Sequence, residues 1–330
     1  MISTRNRFDA IDSAKGIGII LVVFGHAWRG AYNAGVISDY PIFAAVDAGI
    51  YAFHMPLFFF LSGLLFLDVL REYNAGDLLR GRVTRLLWPM ALWTWFFFGF
   101  KLIGGSAVNT PVTMNDMPLV PLPPYEHLWF LWALFLCQVI LIGVYAALLR
   151  PLSDSALRLG AGGIGIALAA VLPSLAVPSL IWGPMVAHMP YFLIGIAAGG
   201  HRQLRGGKAV ASLAAFVFLA NLWLVITAVP PGASALTSAL LLIFAWMVWP
   251  QVDRGGHVST LRMLRYLGNA SMVIYLTHTI FSAVLRIIML RSGFDGAVPV
   301  LLVTTAVGLV GPLVLLFAAR KLRVVKLLGF

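Results

Sequence analysis

Residues 12–29 read Asp12-Ser13-Ala14-Lys15-Gly16-Ile17-Gly18-Ile19-Ile20-Leu21-Val22-Val23-Phe24-Gly25-His26-Ala27-Trp28-Arg29. No charge lies between Lys15 and His26, and the apolar stretch around them, 14–31, is long enough to cross the hydrocarbon core of a bilayer as a helix. Asp12, Lys15, Ile19, Val22, His26 and Arg29 recur every three or four positions, which places them on one stripe of that helix. Lys15 and His26 are eleven residues apart, about 16 Å at 1.5 Å per residue. One helix face thus carries a cation near one membrane surface and an imidazole near the other. Arg5 and Arg7 ahead of the stretch resemble the start of a signal peptide, but no small-residue cleavage site follows, so a retained first helix is expected.

The rest of the chain repeats the pattern. Hydrophobic residues make up 61% of the 330 and charged ones 11%, where soluble domains average roughly 45–50% and 25%. That surplus calls for lipid as its solvent, and it falls into ten candidate spans: 14–31, 46–69, 83–103, 127–149, 159–173, 184–199, 209–229, 234–250, 267–289 and 297–319. With both termini cytoplasmic, only Arg29, Lys101, Arg286 and Arg291 of the 23 Lys and Arg fall on the outer side, as the positive-inside rule asks. The expected fold is all-α: a polytopic membrane protein of about ten transmembrane helices, residues 1–330 forming a single transmembrane domain in the inner or plasma membrane.

The net charge of +11 does not point to nucleic acid, because the basic residues are scattered between apolar runs without an aromatic platform. Cys137, the single cysteine, rules out a disulfide framework within the chain. The longest outer connection, Gly104 to Tyr125, holds Pro111, Pro118, Pro121, Pro123 and Pro124 and suits an ordered flap over an outer cavity. His54-Met55-Pro56-Leu57-Phe58 is echoed by His188-Met189-Pro190-Tyr191-Phe192, with Gly63 and Gly195 beyond. Either a shared way of starting a helix or a distant parallel repeat accounts for this.

Ionisable groups at membrane depth are costly and mark candidate sites. His26 is a candidate general base, while Lys15 is a candidate phosphate ligand with a snorkelling anchor as the competing reading. His54, His127 and His188 fall near outer helix ends and His278 inside the ninth span, so five of the seven histidines share one half of the bilayer. No two stand at ligand spacing on one helix and no carboxylate accompanies them, so no metal is expected. Trp129, Trp132 and Trp182 suit interfacial anchors or sugar platforms. Arg82 and Arg85 open the third span as a basic face that, with Lys15, can bind phosphate. Ser62 and Gly63 allow close helix approach.

Asp12-Ser13-Ala14-Lys15-Gly16-Ile17-Gly18-Ile19 leading to Gly25-His26 resembles the signature of the acyltransferase family 3 membrane enzymes, in the branch of fucose 4-O-acetylase-like proteins. Phe53 through Gly63, His127-Leu128-Trp129-Phe130-Leu131, and Leu267-Gly268-Asn269-Ala270-Ser271 with Ile274-Tyr275-Leu276-Thr277-His278 agree in order and spacing. The resemblance implies a domain of about ten helices that takes acetyl from acetyl-coenzyme A and places it on an extracytoplasmic carbohydrate or glycolipid. The family's basic residue and histidine fall on Lys15 and His26. Many members carry Arg where this chain has Lys15, which forfeits bidentate phosphate geometry. On this reading His26 is the catalytic base and Lys15, Arg82 and Arg85 bind the donor. Asp12, His54, Ser62, His127, Trp129, Asn269, Tyr275 and His278 serve the acceptor or support the site.

A secondary transporter for a small solute or lipid-linked sugar is the competing class, since ten helices with short Gly/Pro-rich spans fit it too. It lacks a clear inverted repeat, and Asp47 and Asp68 are the few acids near the bilayer available for coupling. A pure scaffold explains none of the buried polar groups.

Overall fold

The computed structural model describes residues 4–38, 40, 42–172, 177–199 and 258–330, together with scattered positions between 212 and 247. The predicted spans 209–229 and 234–250 lie largely outside the described residues, as do Arg202, Arg205, Lys208 and Arg254. Among the described residues all regular structure is helical. In lipid a helix satisfies its own backbone, so apolar sequence at this depth has few alternatives.

α1 runs from Thr4 to Asn33 and α2 from Phe43 to Leu64, with α3, Phe66–Glu72, extending the second span. α4, Ala75–Arg82, starts at Asn74, whose side chain accepts a hydrogen bond from the Asp77 amide at 2.9 Å, a helix-capping device. A π-helical turn, Val83–Leu87, joins it to α5, Trp88–Gly104, so the third span begins earlier than the expected residue 83. α6 is Trp129–Val144, α7 Asp154–Val171 and α8 Gly183–Ala198. α9 is Val258–Asn269, α10 Ser271–Arg291 and α11 Ala297–Lys321.

Seven helical stretches among the described residues are long and apolar enough to cross a membrane. Gly183–Ala198 is apolar but shorter. The expected ninth span, 267–289, needs correcting: helix breaks at Ala270, where φ is −90° and ψ 6°, and residues 267–269 belong to α9 instead. Leu261 and Leu267 of α9 are buried while Arg262 and Met263 are exposed, so α9 is an amphipathic helix rather than the start of a span.

Small residues set the helix crossings. Gly16 of α1 lies against the Leu264 backbone of α9, and Gly268 of α9 lies against the Asp12 backbone, so a side chain at either would strike main chain. α2 and α8 cross the same way: Gly63 meets the Phe192 carbonyl, and Gly195 meets the Phe60 carbonyl. The helices that carry the echo therefore pack on each other reciprocally: in each, the Gly stands three residues after the Phe whose carbonyl meets the partner helix's Gly. His54 and His188 also share a device, each directing Nδ1–H to the carbonyl four residues back, Ile50 at 2.6 Å and Pro184 at 2.8 Å. Pro56 deprives the Ala52 carbonyl of its helical donor, and the Ser238 hydroxyl supplies one at 3.2 Å. Buried Arg158 ties α7 to α8 and α3 through the Ile196 carbonyl at 2.9 Å and Asp68 at 3.0 Å. One cluster of buried apolar side chains extends from Ala10 to Leu316.

Candidate active site

A cavity of about 660 Å³ opens at the end of the bundle where α1 finishes. Its walls come from the second halves of α1 and α5, the middle of α2, α10 from Tyr275 to Ile287, and the connections at 108–110 and 126–129. Five separate segments of sequence contribute, so chain order alone does not reveal the pocket.

Three histidines from three of those segments form a triangle beside it. The ring centroids of His26 and His278 are 5.1 Å apart, those of His26 and His127 5.3 Å, and those of His127 and His278 5.1 Å. Two of these rings have fixed orientations. His278 is fully buried and its Nδ1 lies 2.8 Å from the Ile274 carbonyl. A carbonyl only accepts, so Nδ1 carries the hydrogen and, in the neutral ring, Nε2 is an acceptor. That Nε2 is buried without a partner among the described residues. His127 Nε2–H donates to the Tyr275 carbonyl at 2.9 Å, and the Tyr275 hydroxyl donates back to the His127 carbonyl. This reciprocal pair joins the start of α6 to α10. His26, by contrast, is only half-buried, lines the cavity and has no side-chain hydrogen bond among the described residues. It is the member of the triangle whose nitrogens remain available to a guest.

The cavity walls carry charge. Arg29 grips Asp47 with both arms of its guanidinium, at 2.6 and 2.8 Å, and covers the Tyr51 ring at 3.3 Å. The pairing is bidentate, the stronger form of an Arg–carboxylate contact. Lys101 pairs with Glu126 and bonds the Thr110 hydroxyl at 2.7 Å. Glu126 has φ +50°, left-handed backbone that a non-glycine residue adopts at a cost, and the ion pair helps to hold it there beside His127. The Pro-rich connection lies along the cavity: Asn109 Nδ2 donates to the Gly30 carbonyl at 3.4 Å, and the Trp95 indole to the Pro118 carbonyl at 2.9 Å. A Thr113–Asp116 capping box orders its middle, and the Thr113 amide and hydroxyl hold the exposed Asp116 carboxyl below its ordinary range.

The sequence candidates thus separate into two groups. His26, His54, His127, Trp129 and Tyr275 line the cavity, and His278 touches His26. His188 stacks on Phe59 at 4.7 Å and faces Trp129 at 5.2 Å. Asp12, Lys15, Ser62, Arg82, Arg85 and Asn269 do not line it. Lys15 is 3.4 Å from Asp12, Arg82 lies over the Phe66 ring at 5.9 Å, Arg85 and Asn269 are exposed, and Ser62 is half-buried. The spacing of the histidines along the chain gave no sign that three would meet, yet no group of three or more His, Cys, Asp or Glu among the described residues has the arrangement to hold a metal.

Sequence reasoning passed over Arg29, Tyr51, Lys101, Glu126 and Arg286 as site residues, although all line the cavity. A signal was present: Arg29, Lys101 and Arg286 are three of the four basic residues that the charge rule left on the outer side.

An all-helical, multi-pass membrane protein with a histidine-edged polar cavity at one end of its bundle is the class these features define. A family model described as "Acyltransferase domain" matches residues 8–317, and the chain belongs to that acyltransferase family. Relatives include the nodulation protein NolL of Mesorhizobium japonicum, 31% identical over 151 residues, covering 42% of this chain and 36% of the relative. The nodulation protein NolL of Sinorhizobium fredii is 33% identical over 151 residues, covering 43% and 38%. The matched region is thus little more than a third of the length of these curated relatives. No solved structure matches.

Proposed function

We propose that the protein is a membrane-bound O-acyltransferase that moves an acetyl group from acetyl-coenzyme A to a hydroxyl of a carbohydrate or glycolipid held in the cavity. The donor docks at the Lys15 end of α1, on the cytoplasmic side of the inner or plasma membrane, where Arg82 and Arg85 add positive charge for its phosphates. The acceptor enters from the opposite face. The observation that carries this reading is His26: an imidazole without a hydrogen bond among the described residues, on the cavity wall, three helical turns from Lys15 along one helix, in a chain of the acyltransferase family.

His26 accepts the proton of the acceptor hydroxyl as its oxygen attacks the thioester carbonyl. The tetrahedral adduct collapses, the carbon–sulfur bond breaks, and the coenzyme A thiolate takes the proton back from the imidazolium, leaving ester and free thiol. His278 touches the His26 ring, and its Nε2, without a partner among the described residues, is the acceptor that would position the imidazolium once His26 turns an N–H toward it. Asn269, exposed at the end of α9, does not line the cavity and takes no part in this step.

The test is binding and hydrolysis of acetyl-coenzyme A by the purified protein in nanodiscs, for wild type, His26→Ala and Lys15→Ala. His26→Ala should bind the donor as wild type does and lose turnover by about 10³-fold, the scale of a general base. Lys15→Ala should weaken donor binding about 10- to 100-fold, the worth of a charged hydrogen bond. A well-folded wild type that binds no acetyl-coenzyme A would overturn the proposal and leave the cavity as the binding site of a transporter.

A further inference from the structure

Of the three cations that the described residues place on the cavity wall, two already have carboxylate partners. Arg29 has Asp47 and Lys101 has Glu126. Arg286 has neither an ion pair nor a side-chain hydrogen bond among the described residues, although it is only 7% exposed and its side chain lines the cavity. Burying a guanidinium without a partner is expensive, and such a group is retained where something else supplies the counter-charge. Space has been kept for it: the guanidinium rests on α1 at Gly30, where any side chain would collide with its Nη1. Among the described residues no carboxylate other than Glu126 lines the cavity, and that one is engaged.

The position of Arg286 relative to the reaction centre narrows the guest. Gly30 follows His26 by four residues, so the two share a face of α1 about 6 Å apart along its axis. A group bound at Arg286 and a hydroxyl bound at His26 are therefore separated by about the span of one sugar ring. Resting on the acceptor reading above, we infer that Arg286 selects an acceptor bearing an anionic oxygen group, a carboxylate or a phosphate, on the acylated sugar or the one next to it. The guanidinium fork suits either group, since both accept two parallel N–H bonds.

The experiment is calorimetric titration of the full chain with methyl glucuronoside, glucose 1-phosphate and methyl glucoside. It is run in a non-sugar, phosphate-free detergent and in phosphatidylcholine nanodiscs, with acetyl-coenzyme A titrated into the same preparations. At least one anionic probe should bind about 10-fold or more tightly than the neutral one, in keeping with a charged hydrogen-bonding pair. The preference should vanish in Arg286→Gln and persist in Arg291→Gln, which alters an exposed cation outside the cavity. Gly30→Ala, which keeps the charge but displaces the guanidinium, should weaken anion binding, and it carries the test if Arg286→Gln does not fold. Equal binding of charged and neutral probes, or a preference that survives Arg286→Gln, overturns the inference. Binding in detergent that disappears in nanodiscs also overturns it, because a lipid phosphate would then be the occupant. An Arg286-dependent preference in a protein that binds no acetyl-coenzyme A would keep the anion site and sink the acyltransfer reading. Donor turnover without the preference would do the reverse.

Discussion

His278 shows how much one hydrogen bond decides. Its Nδ1–H is committed to the Ile274 carbonyl, so only Nε2 can meet His26. His278→Gln is expected to lower kcat by about 100-fold, within the range of acid–base contributions, with the KM for acetyl-coenzyme A unchanged. A purely structural histidine would instead lower the yield of folded protein and leave the kcat of the survivors intact. Arg29 and Asp47 form the other decisive contact. A double-mutant cycle with Arg29→Ala and Asp47→Ala, read by thermal unfolding in detergent, should give a coupling energy of about 1 kcal/mol, since the two are in direct contact but remain partly open to water. At this scale the sequence disclosed the residue but not the company. His26 stands out because an imidazole at membrane depth is costly. Its contact with His127 and His278 comes from three helices meeting, and spacing within one helix carries no trace of that. Arg286 was counted as a loop charge, because a rule that assigns charges to sides of a membrane cannot distinguish an anchor from a ligand.

Among the elements, the crossing of α2 and α8 is the least forgiving. Gly63 and Gly195 each face the partner's backbone rather than a movable side chain, so Gly63→Val has nothing that can yield. It should cost about 1–3 kcal/mol, the usual penalty of overpacking, and appear as a lowered melting temperature before any effect on donor binding. The cavity-side connection is held differently. Asp116 has its carboxyl held below the ordinary range by Thr113, so its contribution to loop order is fully present above the ordinary value and is lost only as pH falls through the lowered one. Protection factors over residues 108–117, corrected for the intrinsic pH dependence of exchange, should therefore be the same at pH 7 and pH 5.5, and lower at both in Asp116→Asn. The apolar runs made most helices legible, including those that frame the cavity. The break at Ala270 was not, because α9 has a helical period and runs straight into apolar sequence, so nothing in composition separates the two. The echo of His54–Phe58 in His188–Phe192 was visible from residue types alone. That the two segments pack on each other through reciprocal glycines became visible only once the chain was folded.

Over the whole molecule, the proposed direction of transfer requires the cavity connection and the α6–α7 turn to face opposite sides of the membrane. Cys137 is fully buried, so single introduced cysteines can be labelled against a silent background. In intact cells Asn109→Cys should react with an impermeant maleimide, whereas Arg150→Cys should react only after permeabilisation; the opposite pattern would reverse the orientation. The cavity's charges also divide the labour of its wall. Arg29 and Lys101 are spent on partners within the protein, and among the described residues of the wall Arg286 is the cation left to greet a guest. A lineage meeting a new cell-surface sugar would then have one codon to change, with the reacting histidine and its supports untouched. Glycan diversification could proceed by single substitutions at the position of Arg286 rather than by rebuilding the enzyme.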